Sequence, residues 1–453
     1  MFKSKYTTGF LLCLLVLFYA IPVLSDVSDL VILHINDTHG RLRPYNDDKG
    51  NSIGGIARVA TLIDQIKKEN KGKTLVLHAG DLFSRGDDLT VHYGGGVNLK
   101  ALQAAGYEVM VPGNGEFYFG PENLVKQASQ VTMPVILANV VYKNNDKILF
   151  KPYIIKEVNG IKIAILGLGF IRLSHPSARN LELKDHVTVA KEYIPELKKQ
   201  SDIIIALTHI GLNEDKRLAR EVPEIDIIVG GHSHSRLETP LEIERPEGNG
   251  SVVVAQAWDY RKKLGRLNVS VNQDGIKNVE GKLIPINGEI PEDKDINAIL
   301  DKYSQPLSEV ICTSEVSLPN PKEGKSPMGN LVVKAVQTTA GTEAAFLDRG
   351  AVQSGIEPGD ITLAQVSKIH PWRNRIVKIK LTGKQIRKIM EKHDLLMSNI
   401  TSVDGDKVYE IAAGEFVLAS VPSIRNIDFD DTGERVDSAI FKYLKEIKHL
   451  KAN

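Results

Sequence analysis

Short apolar runs alternate with longer amphipathic stretches through the first two-thirds of the chain. The runs fall at Leu30 to Ile35, Thr74 to Leu77, Val109 to Val111, Val135 to Ala138, Ile161 to Leu168, Ile203 to Leu207, Ile225 to Val229 and Val252 to Ala255. Brief and rich in branched residues, they read as buried strands. Between them, Ile56 to Ile66 and Val97 to Ala105 repeat apolar residues at helical spacing, so the rhythm predicts a layered α/β domain. From Pro285 to Asp295 the pattern breaks at two prolines, an Asn-Gly pair and several acids. That stretch predicts a domain boundary, followed by a helix from Ile296 to Val310. Beyond it, a helix at Met328 to Thr339, extended segments at Ala345 to Leu347 and Arg375 to Leu381, and a helix at Lys384 to Glu391 predict a second, α+β domain.

The amino terminus is a different kind of segment. Lys3 and Lys5 precede an apolar core from Phe10 to Leu24, which reads as a cleavable secretory signal over residues 1–25, too short to span a bilayer. Leu12 before Cys13 lacks the small side chain that a lipoprotein cleavage site needs, so no membrane anchor is expected after cleavage and the product is expected to be secreted or periplasmic. Cleavage leaves Cys312 alone, because the 453 residues contain two cysteines. The mature chain then forms no internal disulfide and has no thiolate metal site. With 57 basic against 56 acidic residues, composition gives no sign of a binder of nucleic-acid polymers.

Candidate chemistry gathers where the apolar runs end. Asp37 and His39, Asp81, Asn114, His209, and His232 with His234 each follow such a run, and open α/β folds place their chemistry beyond the carboxyl ends of strands. Individually these residues read as helix caps, turns or core histidines. Jointly, carboxylate, imidazole and amide oxygens suit two divalent ions of the Mn, Zn, Fe or Mg type, with Asp81 as the natural bridge. His34 and His78 read as packed residues. His92 is a candidate to reach the cleft.

In order, Asn36-Asp37-Thr38-His39, Gly80-Asp81, Gly113-Asn114 with Glu116-Phe117, Thr208-His209 and Gly230-Gly231-His232-Ser233-His234 resemble the calcineurin-type metallophosphoesterase domain of the secreted 5'-nucleotidase family. Met328-Gly329-Asn330-Leu331, Leu381-Thr382-Gly383 and Asp431-Thr432-Gly433 resemble that family's second domain. The resemblance implies a four-layer αββα sandwich over residues 26–285, a linker and helix over 286–310, and a smaller α+β substrate domain over 311–453. It further implies that Asp37, His39, Asp81 and His234 hold one metal, that Asp81, Asn114, His209 and His232 hold the other, and that a metal-bridged hydroxide attacks a nucleotide-like phosphate ester.

The chain departs from the family at several points. A catalytic histidine normally follows the asparagine, steadied by an aspartate three residues later; here these positions hold Gly115 and Tyr118. Loss of such a group costs ~10²- to 10⁴-fold in rate. Glu116, adjacent, reads as a surface or supporting acid. The family's substrate-gripping arginine is replaced by Gln353, which leaves Arg349 as the nearby positive charge. Trp372 stands where an aromatic residue stacks the base, and Ala419 to Ile424 lack the glycines and aromatic of the opposite jaw. Phe416 reads as strand core. The expected function is therefore a phosphoesterase with a degenerate dyad and an altered nucleotide clamp. The alternative is a metal-bearing binding protein with little or no turnover.

Overall fold

The computed structural model describes residues 28–451 except 85, 247, 249, 273–274, 321–325, 399–402 and 426. The expected signal, residues 1–25, lies outside the described residues. Among those described, no helix is long and apolar enough to cross a membrane.

Two sheets face each other in the first domain. One has the spatial order Gly275–Pro285, Lys263–Asn272, Ser28–Ile35, Thr74–Ala79, Val109–Val111, and the other runs Leu241–Glu244, Ser251–Ala255, Ile227–Val229, Ile203–Thr208, Ile161–Leu168, Tyr153–Val158. The strand Ile203–Thr208 shows how the apolar runs build layers. Ile203, Ile205 and Leu207 enter the core between the sheets, while Ile204 and Ala206 face an outer core with Val187, Ala190 and Ile194 of the helix His186–Gln200. A strand buried on both faces has to be apolar at every position, and each such side chain contributes roughly 1.5–3 kcal/mol. The helices Ile56–Glu69 and Gly96–Ala104 send Ile56, Val59, Ile63, Leu99 and Leu102 into the core of the first sheet. The result is the expected αββα sandwich.

Parallel pairing joins Ser28–Ile35 to Thr74–Ala79 and Val109–Val111, and Ile203–Thr208 to Ile227–Val229. All five strands therefore end on the same side of their own sheet, and the candidate ligands lie just past those ends. Val135 to Ala138 does not form a strand of its own. Ile136 N–H donates to Met110, Leu137 N–H to Lys151 and Ala138 N–H to Gly167, so three neighbours share the segment and no ladder builds to any of them. The helix expected from Ile296 to Val310 runs Lys294–Ser304, capped by Asp293, and passes into a 3-10 turn at Gln305–Ser308. Pro306 lacks the N–H that another helical turn would need, and Val310 opens a strand instead.

The second domain has a five-stranded sheet in the order Leu395–Met397, Ala344–Asp348, Val408–Gly414, Arg375–Thr382, Phe429–Arg435. Pro327–Ala340 and Val436–Ile447 cover one face, and Gly383–Lys392 with Glu415–Ser420 the other. Polar contacts join the domains. Arg373 donates to the carbonyls of Val91 (2.8 Å) and His92 (2.6 Å), Arg375 pairs with Glu122 at 3.1 Å, and His92 Nδ1 lies 3.1 Å from Ser367 Oγ.

Candidate functional site

The loops after the strands bring the seven expected ligands together, four of them (His39, Asp81, Asn114 and His234) lining one cavity. His39 Nε2 and His234 Nε2 converge to 2.8 Å, at 3.8 and 3.4 Å from Asp37 Oδ1. On the other side, His209 Nε2 lies 3.3 Å from Asp81 Oδ1 and 3.9 Å from Asp37 Oδ1. Asp81 faces both groups, its second oxygen lying 3.7 Å from His39 Nδ1. The His232 ring stands 5.2 Å from that of His209. Asp37, His39 and His234 form one potential cation-holding group, and Asp37, Asp81 and His209 a second.

Three buried atoms make the fit to cations specific. Asp37 Oδ1, Asn114 Oδ1 and His209 Nε2 are shut from solvent without a hydrogen-bond partner. Leaving such groups unpaired costs roughly 1–3 kcal/mol each, a cost that coordination removes. The backbone is committed to the same end. Asp37, His39, Asp81, His232 and His234 all have positive φ, between 48° and 78°, a conformation that costs a side-chain-bearing residue about 1 kcal/mol or more. Gly80 (φ 80°) and Gly113 let the loops close, since a Cβ on either would come within 2.5 Å of an atom of His209 or Asp81.

Further residues orient the ligands. His234 Nδ1 pairs with Asp259 at 3.1 Å, and His209 Nδ1 meets the Ala79 carbonyl at 2.8 Å, fixing which imidazole nitrogen faces the cavity. Asn36 donates to Asp37 Oδ2 at 2.6 Å. The hydrogen bond to Asp259, with the Asp37 carboxylate close by, lifts the pKa of His234 to about 10. Burial opposes charge on His209, yet Asp81 and Asp37 outweigh it and lift that group to about 10 as well. A cation held by these groups would compete with their protons.

Glu116 is no surface acid. It is fully buried and accepts the N–H groups of Asp81 (3.0 Å), Phe83 (2.7 Å) and Gly113 (2.6 Å), tying two ligand loops together. Burial, then the nearby Asp81, push its pKa up to about 8. Gly115 leaves room beside Asn114, though a Cβ there would stand 3.0 Å from Asp81 Oδ1. His92 lies at the domain contact with Ser367. His34 and His78 are buried in the core.

A cavity of about 650 Å³ at this centre is lined by His39, Asp81, Asn114, Tyr118, His234 and Tyr260. Beside it, between the domains, lies a second of about 500 Å³ whose walls include Tyr118, Arg172, His175, Gln353, Trp372 and Phe416. Trp372 and Gln353 thus reach the cleft. Arg349 does not line it: its guanidinium grips the Asp394 carboxylate. Phe416, expected in a strand core, instead sits half-buried on the short helix Glu415–Ser420. The sequence reading missed Asp259, Arg172 and His175, which have no motif of their own.

Comparison with known proteins agrees with this fold. Residues 30–236 match the calcineurin-like phosphoesterase family and residues 306–440 the 5'-nucleotidase C-terminal domain. The 5'-nucleotidase of Bos taurus is 30% identical over 412 residues, covering 80% of this chain and 71% of that protein. The trifunctional nucleotide phosphoesterase protein YfkN of Bacillus subtilis is 29% identical over 436 residues, which are 85% of this chain and 28% of that longer protein. The crystal structure of a 5'-nucleotidase precursor from Thermus thermophilus superposes with a TM-score of 0.63 at 27% identity, covering 94% of this chain and 98% of that one.

Proposed function

This chain belongs to the 5'-nucleotidase family of metal-dependent hydrolases acting on phosphoric ester bonds, and on that premise we propose that it removes phosphate from nucleotides or related small phosphate esters. The observation that carries the proposal is three unpartnered buried candidate-ligand atoms, on Asp37, Asn114 and His209, at the floor of a cavity that shares Tyr118 with an interdomain cleft. Asp37, His39, Asp81 and His234 would hold one cation, and Asp81, Asn114, His209 and His232 the other. When bound, two divalent ions of the Mn, Zn, Fe or Mg type supply positive charge to the phosphoryl group and lower the pKa of the attacking water.

The chain's own residues then divide the substrate. Its phosphate occupies the ligand cavity, with Asn114 beside it. The organic part lies in the cleft, against the ring faces of Trp372 and Phe416, while Arg172 at the rim offers the charge that Gln353 cannot. Residues 26–285 provide the metal centre and 311–453 most of the substrate surface, joined through 286–310. The basic start and apolar core of residues 1–25 support export to the periplasm or the medium. With Gly115 and Tyr118 in place of the dyad, esters with good leaving groups are the best substrates.

The test is hydrolysis by the mature chain loaded with Mn, Zn or Mg, assayed on 5'-nucleotides, cyclic nucleotides and aryl phosphates beside elemental analysis. Turnover that tracks metal content is expected. Two bound metals with no turnover of any ester would overturn the enzyme reading in favour of a metal-bearing binding protein.

A further inference from the structure

We propose that Tyr118 donates a hydrogen bond to the ester oxygen that leaves phosphorus, a role that rests on the phosphoesterase reading above. The phenol is held at its oxygen and at its ring. Asn114 Nδ2 donates to Tyr118 Oη at 3.0 Å, while the buried Oδ1 of the same amide is left for the cavity. A phenol carries one proton together with acceptor lone pairs. Since Asn114 occupies the acceptor side, the phenolic proton is free to be donated elsewhere. The ring lies 4.8 Å from that of His175, tilted by 37°, and His175 in turn lies 5.9 Å from Phe416. His175 Nδ1 is held by Ser177 Oγ at 2.7 Å. A row of rings therefore runs from the ligand cavity to the second domain, with Tyr118 at its head.

Position supplies the rest. Tyr118 lines both the ligand cavity and the interdomain cleft. An ester with its phosphate in the first and its organic part in the second carries its bridging oxygen past this residue. Gly115 presents no side chain in the space beside Asn114. In the reaction, water adds to phosphorus as the ester P–O bond breaks, and the departing oxygen takes that electron pair. The departing oxygen then takes a proton from solvent, and the attacking water gives one up to solvent. Tyr118 keeps its proton throughout. Its hydrogen bond strengthens only as charge gathers on the departing oxygen, so it favours the transition state over bound substrate.

Tyr118→Phe retains the ring and its contact with His175, and it removes the hydroxyl, which is both the donor and the acceptor of the Asn114 amide. The dependence on leaving group separates this role from a structural one. For a nucleoside 5'-monophosphate, whose leaving alcohol is a poor one, kcat is expected to fall ~10- to 10²-fold with KM nearly unchanged. For p-nitrophenyl phosphate, the fall is expected to stay within about 3-fold, because a stable phenolate needs little help. Metal content, melting temperature and affinity for inorganic phosphate should match the wild type. Equal losses on both esters, or none on either, would overturn the role of Tyr118 and leave the enzyme reading intact. A wild-type chain that hydrolyses neither ester would overturn both.

Discussion

The ligand cavity and the interdomain cleft adjoin across Tyr118, yet they are built on opposite principles. In the cavity, the ligands hang from strand ends of two packed sheets, and five carry positive φ. Exchanging one of them strands a buried polar atom or removes a charge that its neighbours were arranged around. The cleft is walled by half-exposed side chains from loops of both domains. There water can fill what a substitution leaves, and stacking or a displaced charge can be supplied from another position. Arg172 of one domain and Gln353 of the other line the same cleft, and Phe416 offers a ring although the loop after it has none. Chemistry fixes residue types at the first site, whereas shape alone constrains them at the second.

Asp81→Ala tests the rigid side most severely. Asp81 faces His209 at 3.3 Å and His39 at 3.7 Å, and accepts the Gly115 N–H at 2.6 Å. Its loss should lower kcat by ~10³-fold or more and leave less than the full complement of metal in elemental analysis. A variant that keeps both metals and a near-normal rate would erase the contrast between the two regions.

A smaller effect is expected one step further out. Asp259→Asn removes the carboxylate that holds His234 Nδ1, and such orienting partners are worth about 10- to 100-fold in metal affinity. Chelator competition should show weaker binding at one of two sites. Weakening at neither site would mean that the strand ends alone orient the imidazole.

The same contrast explains what could be read without coordinates. Strands such as Ile161–Leu168 and Val109–Val111 were legible to the residue because burial on both faces leaves an apolar run, broken in the first only by the exposed Lys162. The candidate ligands could be singled out because each follows such a run, in types that few other roles require together. Asp259 was not, since a supporting carboxylate has no spacing rule and is recognised only by the ring it meets. Val135 to Ala138 was apolar for burial alone, its hydrogen bonds being divided among three neighbours. In the cleft, Arg349 looked available until Asp394, distant in sequence, proved to engage it. Phe416 faces the cleft because the chain turns into a helix at Glu415.

On the tolerant side, Trp372→Ala should raise KM for nucleotides about 10-fold, since base stacking on an aromatic face is worth roughly 1–3 kcal/mol. Turnover of a small aryl phosphate, with little to place in the cleft, should change by less than about 3-fold. A parallel loss on both substrates would show that Trp372 supports the metal centre, and the two regions would not be separable.

The smallest expected effect concerns stability, and it asks whether the cleft carries a strained charge of its own. Asp348 lines the cleft at the end of the strand Ala344–Asp348, and burial raises its pKa to about 6. A carboxyl whose folded pKa lies above its unfolded value, about 3.9, holds its proton more tightly when folded. Its contribution to stability is therefore favourable at low pH. That contribution is lost as pH rises from about 4 through about 6, and the buried charge is fully paid for above that window. Asp348→Asn removes the titration, so relative to wild type it should gain about 1–2 kcal/mol at pH 7, a discounted figure because the group is partly solvated. At pH 4 the two should unfold alike. Denaturant unfolding at both pH values reads the difference directly, because the other titrating groups are common to both proteins. A gain of equal size at pH 4 would assign the effect to packing of the amide, and the cleft would then hold no charge at the expense of the fold.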